Sequence, residues 1–142
     1  MAEVVGIIGS AFGVIGFACQ IIQGCQNISA FLDSVADASD DLRLLRTEVK
    51  MFLSLLESFK SILAQIDWSD DPERLDLVRL ALDYSNEAVT KLQNLMNEHG
   101  NGKQGSWESV KILMKKRKIE KHLGRMEKAK GYILASQTNL LL

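Results

Sequence analysis

Proline is almost absent from this chain: one residue, Pro72, in 142. β-branched runs are scarce outside the first 32 residues, and together these features predict an all-α protein. Aromatic residues make up 6 %, too few to offer a platform for stacked bases. There are two cysteines, Cys19 and Cys25. At a separation of six they point to different sides of a helix, so a mutual bridge is not expected, and both read as reduced thiols of a cytosolic protein. The most telling absence is local. Between Val4 and Leu32 there is no Asp, Glu, Lys or Arg, and from Val4 to Ile22 only Ser10 and Gln20 interrupt apolar residues and glycine.

What fills that stretch is unusual. Gly6, Gly9, Gly13 and Gly16 fall at spacings of 3, 4 and 3, so on a helix they share one strip, and Gly24 returns to it. Val4, Val5, Ile7, Ile8, Phe12, Val14, Ile15, Phe17, Ile21 and Ile22 cover the other sides. A smooth glycine groove on an apolar helix permits the close backbone approach of small-xxx-small pairs in lipid. Four interior glycines cost about 4 kcal/mol in water, unless packing or a bilayer compensates. The 19 residues from Val4 to Ile22 span about 28 Å, just under a hydrocarbon core of about 30 Å. Glu3 stands where a secretory signal would carry positive charge, and no small-x-small cleavage site follows.

The hydrophobic share, 46 %, fits one globular domain and excludes a disordered chain or a polytopic membrane protein. Net charge is −1 but lopsided. Residues 1–102 hold 7 basic and 15 acidic side chains, and residues 103–142 hold 10 and 3. A basic C-terminal helix on an acidic domain calls for an anionic partner surface, either lipid headgroups or the domain's own acidic part. Nucleic acid is disfavoured, because Trp107 offers little stacking and the remaining acids oppose phosphate.

Four helices follow from the periodicity. The first runs from about Ala2 to Leu32, without a clear polar face. The second runs from about Asp41 to Ile66, capped by Ser39 or Asp40. It carries Leu42, Leu45, Val49, Phe52, Leu56, Phe59, Leu63 and Ile66 in strict 3-4 steps. Asp71-Pro72 starts the third. That helix extends to about Glu98, with Leu75, Val78, Leu82, Ser85, Val89, Leu92 and Met96 in the same rhythm. After a loop from His99 to Gly105, Ser106 caps a fourth helix reaching about Gln137. Its inner face is Ile112, Ile119, Leu123, Met126 and Ile133, opposite Lys115, Lys118, Lys121, Arg125 and Lys128, with Lys116, Arg117 and Lys130 adding charge. The architecture expected is an antiparallel four-helix bundle, with or without a fifth short helix, in which the second and third helices form the defining hairpin.

No catalytic constellation appears, so an enzyme is not expected, and no cofactor or metal is implied. His99 in a loop and His122 on the basic helix read as surface histidines without ligand-spaced partners. Gly102-Lys103-Gln104 is no phosphate loop: Asn97 stands for its first glycine and Gln104 for its Ser/Thr. The acid pairs Asp40-Asp41 and Asp70-Asp71 read as caps.

The opening Met1-Ala-Glu-Val-Val-Gly-Ile-Ile-Gly-Ser-Ala-Phe-Gly-Val-Ile-Gly16 resembles the start of the fungal HeLo-like domains, the N-terminal domains of fungal STAND (NLR-like) receptors. Ser106-Trp107, the run Lys115 to Lys121 and the segment Leu123 to Leu134 are similar to that family's last helix. The likeness covers nearly the whole chain and fits the shorter HeLo-like branch. It implies a helical bundle that executes programmed cell death in innate immunity and heterokaryon incompatibility. Its logic is similar to that of the mixed-lineage kinase-like pseudokinase executioner and of plant helper-NLR bundles. A C-terminal sensor or amyloid-signalling domain would gather copies into a homo-oligomer. The first helix would then pass from the cytoplasm into the plasma membrane and permeabilise it. By position, Val4 to Ile22 would insert, with Gly6, Gly9, Gly13 and Gly16 packing. Independently of the resemblance, the basic stripe Lys115, Lys116, Lys118, Lys121, Arg125 and Lys128 reads either as a solvated outer face or as a contact for anionic headgroups. On this reading residues 1–142 are one domain of a longer protein. The rival expectation is a soluble adaptor bundle that mediates protein–protein contacts and whose first helix stays in the core.

Overall fold

A computed structural model describes residues 11–35, 40–66, 72–99 and 116–141. Four α-helices account for them: α1 (Ala11–Asp33), α2 (Asp40–Gln65), α3 (Pro72–His99) and α4 (Lys116–Leu141). They form a four-helix bundle, as the 3-4 periodicity predicts.

Each helix is held by one apolar stripe. On α2 the expected positions Leu42, Leu45, Val49, Phe52, Leu56, Phe59 and Leu63 are all buried. On α3 so are Val78, Leu82, Ser85, Val89, Leu92 and Met96. Ser85 is tolerated there because its Oγ donates to the Ala81 carbonyl one turn back, at 2.8 Å.

Three expectations are corrected. First, α1 does have sides. Val14, Ala18, Ile21, Cys25, Ile28, Leu32 and Val35 are buried in 4-3 steps, while Gln20, Gln23, Gln26 and Asn27 face out. Burying Val14, Ile21, Ile22, Ile28 and Leu32 stabilises on the order of 10 kcal/mol, enough to outweigh its glycines, which cost about 1 kcal/mol each. The helix stops where Ser34 N–H reaches the carbonyls of Ala30 (3.2 Å) and Phe31 (3.1 Å), satisfying carbonyls the last turn leaves over.

Second, α4 continues past Gln137 to Leu141, with Leu140 buried. In the same way His99 closes α3 instead of opening a loop.

Third, α2 and α3 are not partners. α1 packs on α2 and α3, and α4 packs on α2 and α3, so α2 and α3 lie across the diagonal. Asp33 at the end of α1 meets Lys50 and Arg46 near the start of α2, which makes that pair antiparallel. Leu77 and Tyr84 face Asn139 and Tyr132, so α3 and α4 are antiparallel too. Gly24 lies against Val89, and Phe31 lies near Asn97. The two hairpins therefore meet with parallel neighbours, α1 beside α3 and α2 beside α4. The stripes alone permit either arrangement. The 3-4 rhythm gives each helix an apolar face but does not say which helix meets it.

Candidate functional site

The glycine strip divides once α1 is packed. Gly24 is buried, and a Cβ there would stand 2.8 Å from Val89 Cγ1, so glycine lets α1 and α3 approach closely. Gly16 is exposed, and a Cβ there would meet nothing. Among the candidate inserting residues Val14, Ile21 and Ile22 are core, and Gly13, Ile15 and Phe17 are half-buried. Val4, Val5, Gly6, Ile7, Ile8 and Gly9 lie outside the described residues, as does the side chain of Phe12. Among the described residues no helix is long and apolar enough to cross a membrane. The two thiols point apart as expected. Cys19 is exposed, whereas Cys25 is buried and its thiol is pushed up to about 12 by desolvation.

The basic residues separate as well. Lys118, Lys121 and Lys128 are exposed and Arg125 is half-buried. At 100° per residue all four fall on one strip of α4, which continues through Tyr132, Ala135 and Asn139. Lys115 and the side chain of Lys116 lie outside the described residues. Lys130 belongs to neither group. It turns inward and bridges α4 to α2, with its Nζ 2.7 Å from Glu48 and 3.1 Å from Glu127. Lys130 and Glu48 are only 16 % and 18 % exposed, and hydrogen bonding to Glu48 holds the ammonium above its ordinary range.

His122 corrects another expectation. It is 7 % exposed and sits on the inner stripe of α4, Ile119-His122-Met126-Ala129-Ile133-Ser136-Leu140. Its Nδ1 has no hydrogen-bond partner among the described residues. Burial lowers its pKa to about 4, and Arg125, Lys121, Lys118 and Lys91 push the same way. The sign it left in the sequence was the 3-4 step continued through His122 and Ser136.

An apolar groove of about 480 Å3 runs between α3 and α4, lined by Leu77, Leu80, Ala81, Tyr84, Tyr132 and Ala135. It exists because small residues, Ala81, Ala135 and Ser136, meet where larger ones would close the seam. Leu80 stands 64 % exposed on its wall. Tyr84 and Tyr132 cross edge to face at its upper end, with ring centroids 5.0 Å apart. Beyond Tyr84 lies a smaller cavity bounded by Glu87, Ala88, Lys91 and Arg125. There Lys91 Nζ sits 2.8 Å from Glu87 and keeps that carboxyl below its usual range, with Arg125 contributing. Sequence reasoning missed this groove, because it depends on α3 pairing with α4. Among the described residues no group of three His, Cys, Asp or Glu side chains could hold a metal ion.

Comparison with known families, with characterised proteins and with solved structures finds no match to this chain.

Proposed function

We propose that this chain is a membrane-targeting cell-death effector domain of the HeLo-like kind, part of a fungal NLR-like or incompatibility protein. It would be cytoplasmic at rest and recruited to the plasma membrane when a C-terminal sensor or amyloid-signalling domain assembles copies. The observation that carries this reading is the charge-free run from Val4 to Leu32 with its 3-4-3 glycines, together with the resemblance those residues bear. The strip Lys118-Lys121-Arg125-Lys128, with Lys115 and Lys116 before it in sequence, supplies attraction to anionic headgroups of about 1 kcal/mol per charge.

Packing sets the condition for activity. Withdrawing α1 gives up on the order of 10 kcal/mol of apolar burial. At 1.4 kcal/mol per factor of ten, an isolated monomer would release it in roughly one molecule in 10 million. Insertion therefore needs assembly or the bilayer to supply the difference.

A second reading, a soluble adaptor bundle, draws on the apolar stripe of α1 and its Gln20, Gln23, Gln26 and Asn27 face. Dye release from anionic phospholipid vesicles separates the two. A disulfide made from Gly24→Cys and Val89→Cys, with Cys19 and Cys25 changed to Ala, pins α1 to α3. The effector reading expects leakage that appears only on reduction, and no leakage after deletion of residues 2–22. Equal leakage by the locked or deleted protein overturns insertion of the first helix. No leakage from any form, with α1 indispensable for folding, leaves the adaptor.

A further inference from the structure

The α3–α4 face changes character along its length. On α4 one strip reads Lys118, Lys121, Arg125 and Lys128, then Tyr132, Ala135 and Asn139. On α3 the facing side reads Lys91, Ala88 and Glu87, then Tyr84, Ala81, Leu80 and Leu77, so one carboxylate stands among the cations and is held by Lys91. Cations thus occupy one end and an apolar groove the other, and Tyr84 borders both the groove and the Lys91–Arg125 cavity. Lys128 is one turn above Tyr132, about 6 Å, and Arg125 about 10 Å. Among the described residues no ion pair joins Lys118, Lys121, Arg125 or Lys128 to a carboxylate; Glu87, which lines the same cavity as Arg125 and feels its charge, is already paired with Lys91. Asp76 is exposed on α3 beside Leu77, so the lower rim repels an anion that the cations of α4 attract at the other end.

We propose that this face binds a single anionic amphiphile. Its acyl chain lies in the groove between Leu77 and Tyr132, and its carboxylate or phosphate rests against Arg125, Lys121 and Lys128. The groove volume, about 480 Å3, is in the range of small-ligand sites, roughly 300–1,000 Å3. Exposed Leu77, Leu80 and Tyr132 supply the apolar contact, and the one-sided charge fixes which way the molecule lies. This site shares its cations with the headgroup strip of the effector reading, but it needs neither a bilayer nor insertion of the first helix.

The test is calorimetric and NMR titration of the full chain with dodecanoate below its micelle concentration. Saturable one-to-one binding is expected, with amide shifts concentrated at Leu77–Tyr84 and Arg125–Asn139. Arg125→Gln with Lys128→Gln should weaken dodecanoate about tenfold, the loss of charge-assisted contacts, and leave dodecanol unchanged. Ala135→Trp, at an exposed wall position, should remove binding of both while the thermal transition is kept. Equal affinity for dodecyltrimethylammonium, or shifts centred elsewhere, overturns the proposal. Binding to anionic vesicles without monomer binding also overturns it and leaves the effector reading standing. Monomer binding without vesicle leakage does the reverse.

Discussion

α1 and α4 face each other across the diagonal of one bundle and divide its chemistry between them. α1 carries no charge before Asp33 and fills the core with Val14, Ile21, Ile22, Ile28 and Leu32. α4 carries the densest charge in the protein, and its inner stripe includes His122, Ala129 and Ser136. The imidazole Nδ1 and the Ser136 hydroxyl lack partners among the described residues, and an unsatisfied buried polar group costs about 1–3 kcal/mol. The helix least suited to water is therefore seated on a clean apolar seam. The helix best suited to water has the imperfect seam and relies on the Lys130–Glu48 bridge to α2. A greasy helix in isolation says little about how readily it leaves a bundle, because its release energy is set by what it buries.

The comparison can be broken most directly at Ile28. Ile28→Ala empties a fully buried site on α1 and should destabilise by about 4 kcal/mol in urea denaturation. A loss under about 1 kcal/mol would mean α1 is loosely held.

His122→Leu probes the opposite helix through pH. An unfolded imidazole takes its proton below pH 6.5, and the folded one only below about 4. The unfolded state thus holds the extra proton across that window, and stability falls as pH drops through it. The leucine variant lacks this loss, so the two stability curves should separate by about 3 kcal/mol between neutral pH and pH 4. Parallel curves would place the imidazole in water.

Lys130→Met leaves the Glu48 carboxylate nearly buried without its cation and should cost about 2 kcal/mol, less than a fully enclosed pair. Adding Glu48→Gln should recover part of it, a coupling read by a double-mutant cycle.

The smallest effects come from two glycines of α1. Gly24→Ala drives a methyl into Val89 and should destabilise by about 1 kcal/mol after its helix-propensity gain is counted. Gly16→Ala opens onto space and should stabilise by about 1 kcal/mol. Equal signs in thermal denaturation would show that the strip has one environment instead of two.

Legibility differed between these helices for a physical reason. α2 could be read position by position, since charged residues separate its leucines and phenylalanines and expose the 3-4 rhythm. α1 has the same rhythm, but apolar residues on every side conceal it until Gln20, and period needs contrast. His122 was hidden differently. Lys121 and Arg125 beside it suggest solvent, yet it lies three residues after Ile119 and four before Met126, on the buried stripe. The cationic strip could be located from spacing alone. Its continuation into an apolar groove could not, because the other wall belongs to α3.

The amino-acid order determined that the described residues are helical and which face of α2 and α3 turns inward, because local spacing and backbone propensity act within a few turns. Tertiary structure alone decided that α3 meets α4 and not α2, that Gly24 is clamped while Gly16 is free, and that an imidazole lies in the core. Those outcomes depend on which side chains arrive opposite one another across the bundle, and residues far apart in the chain settle that only by fitting together.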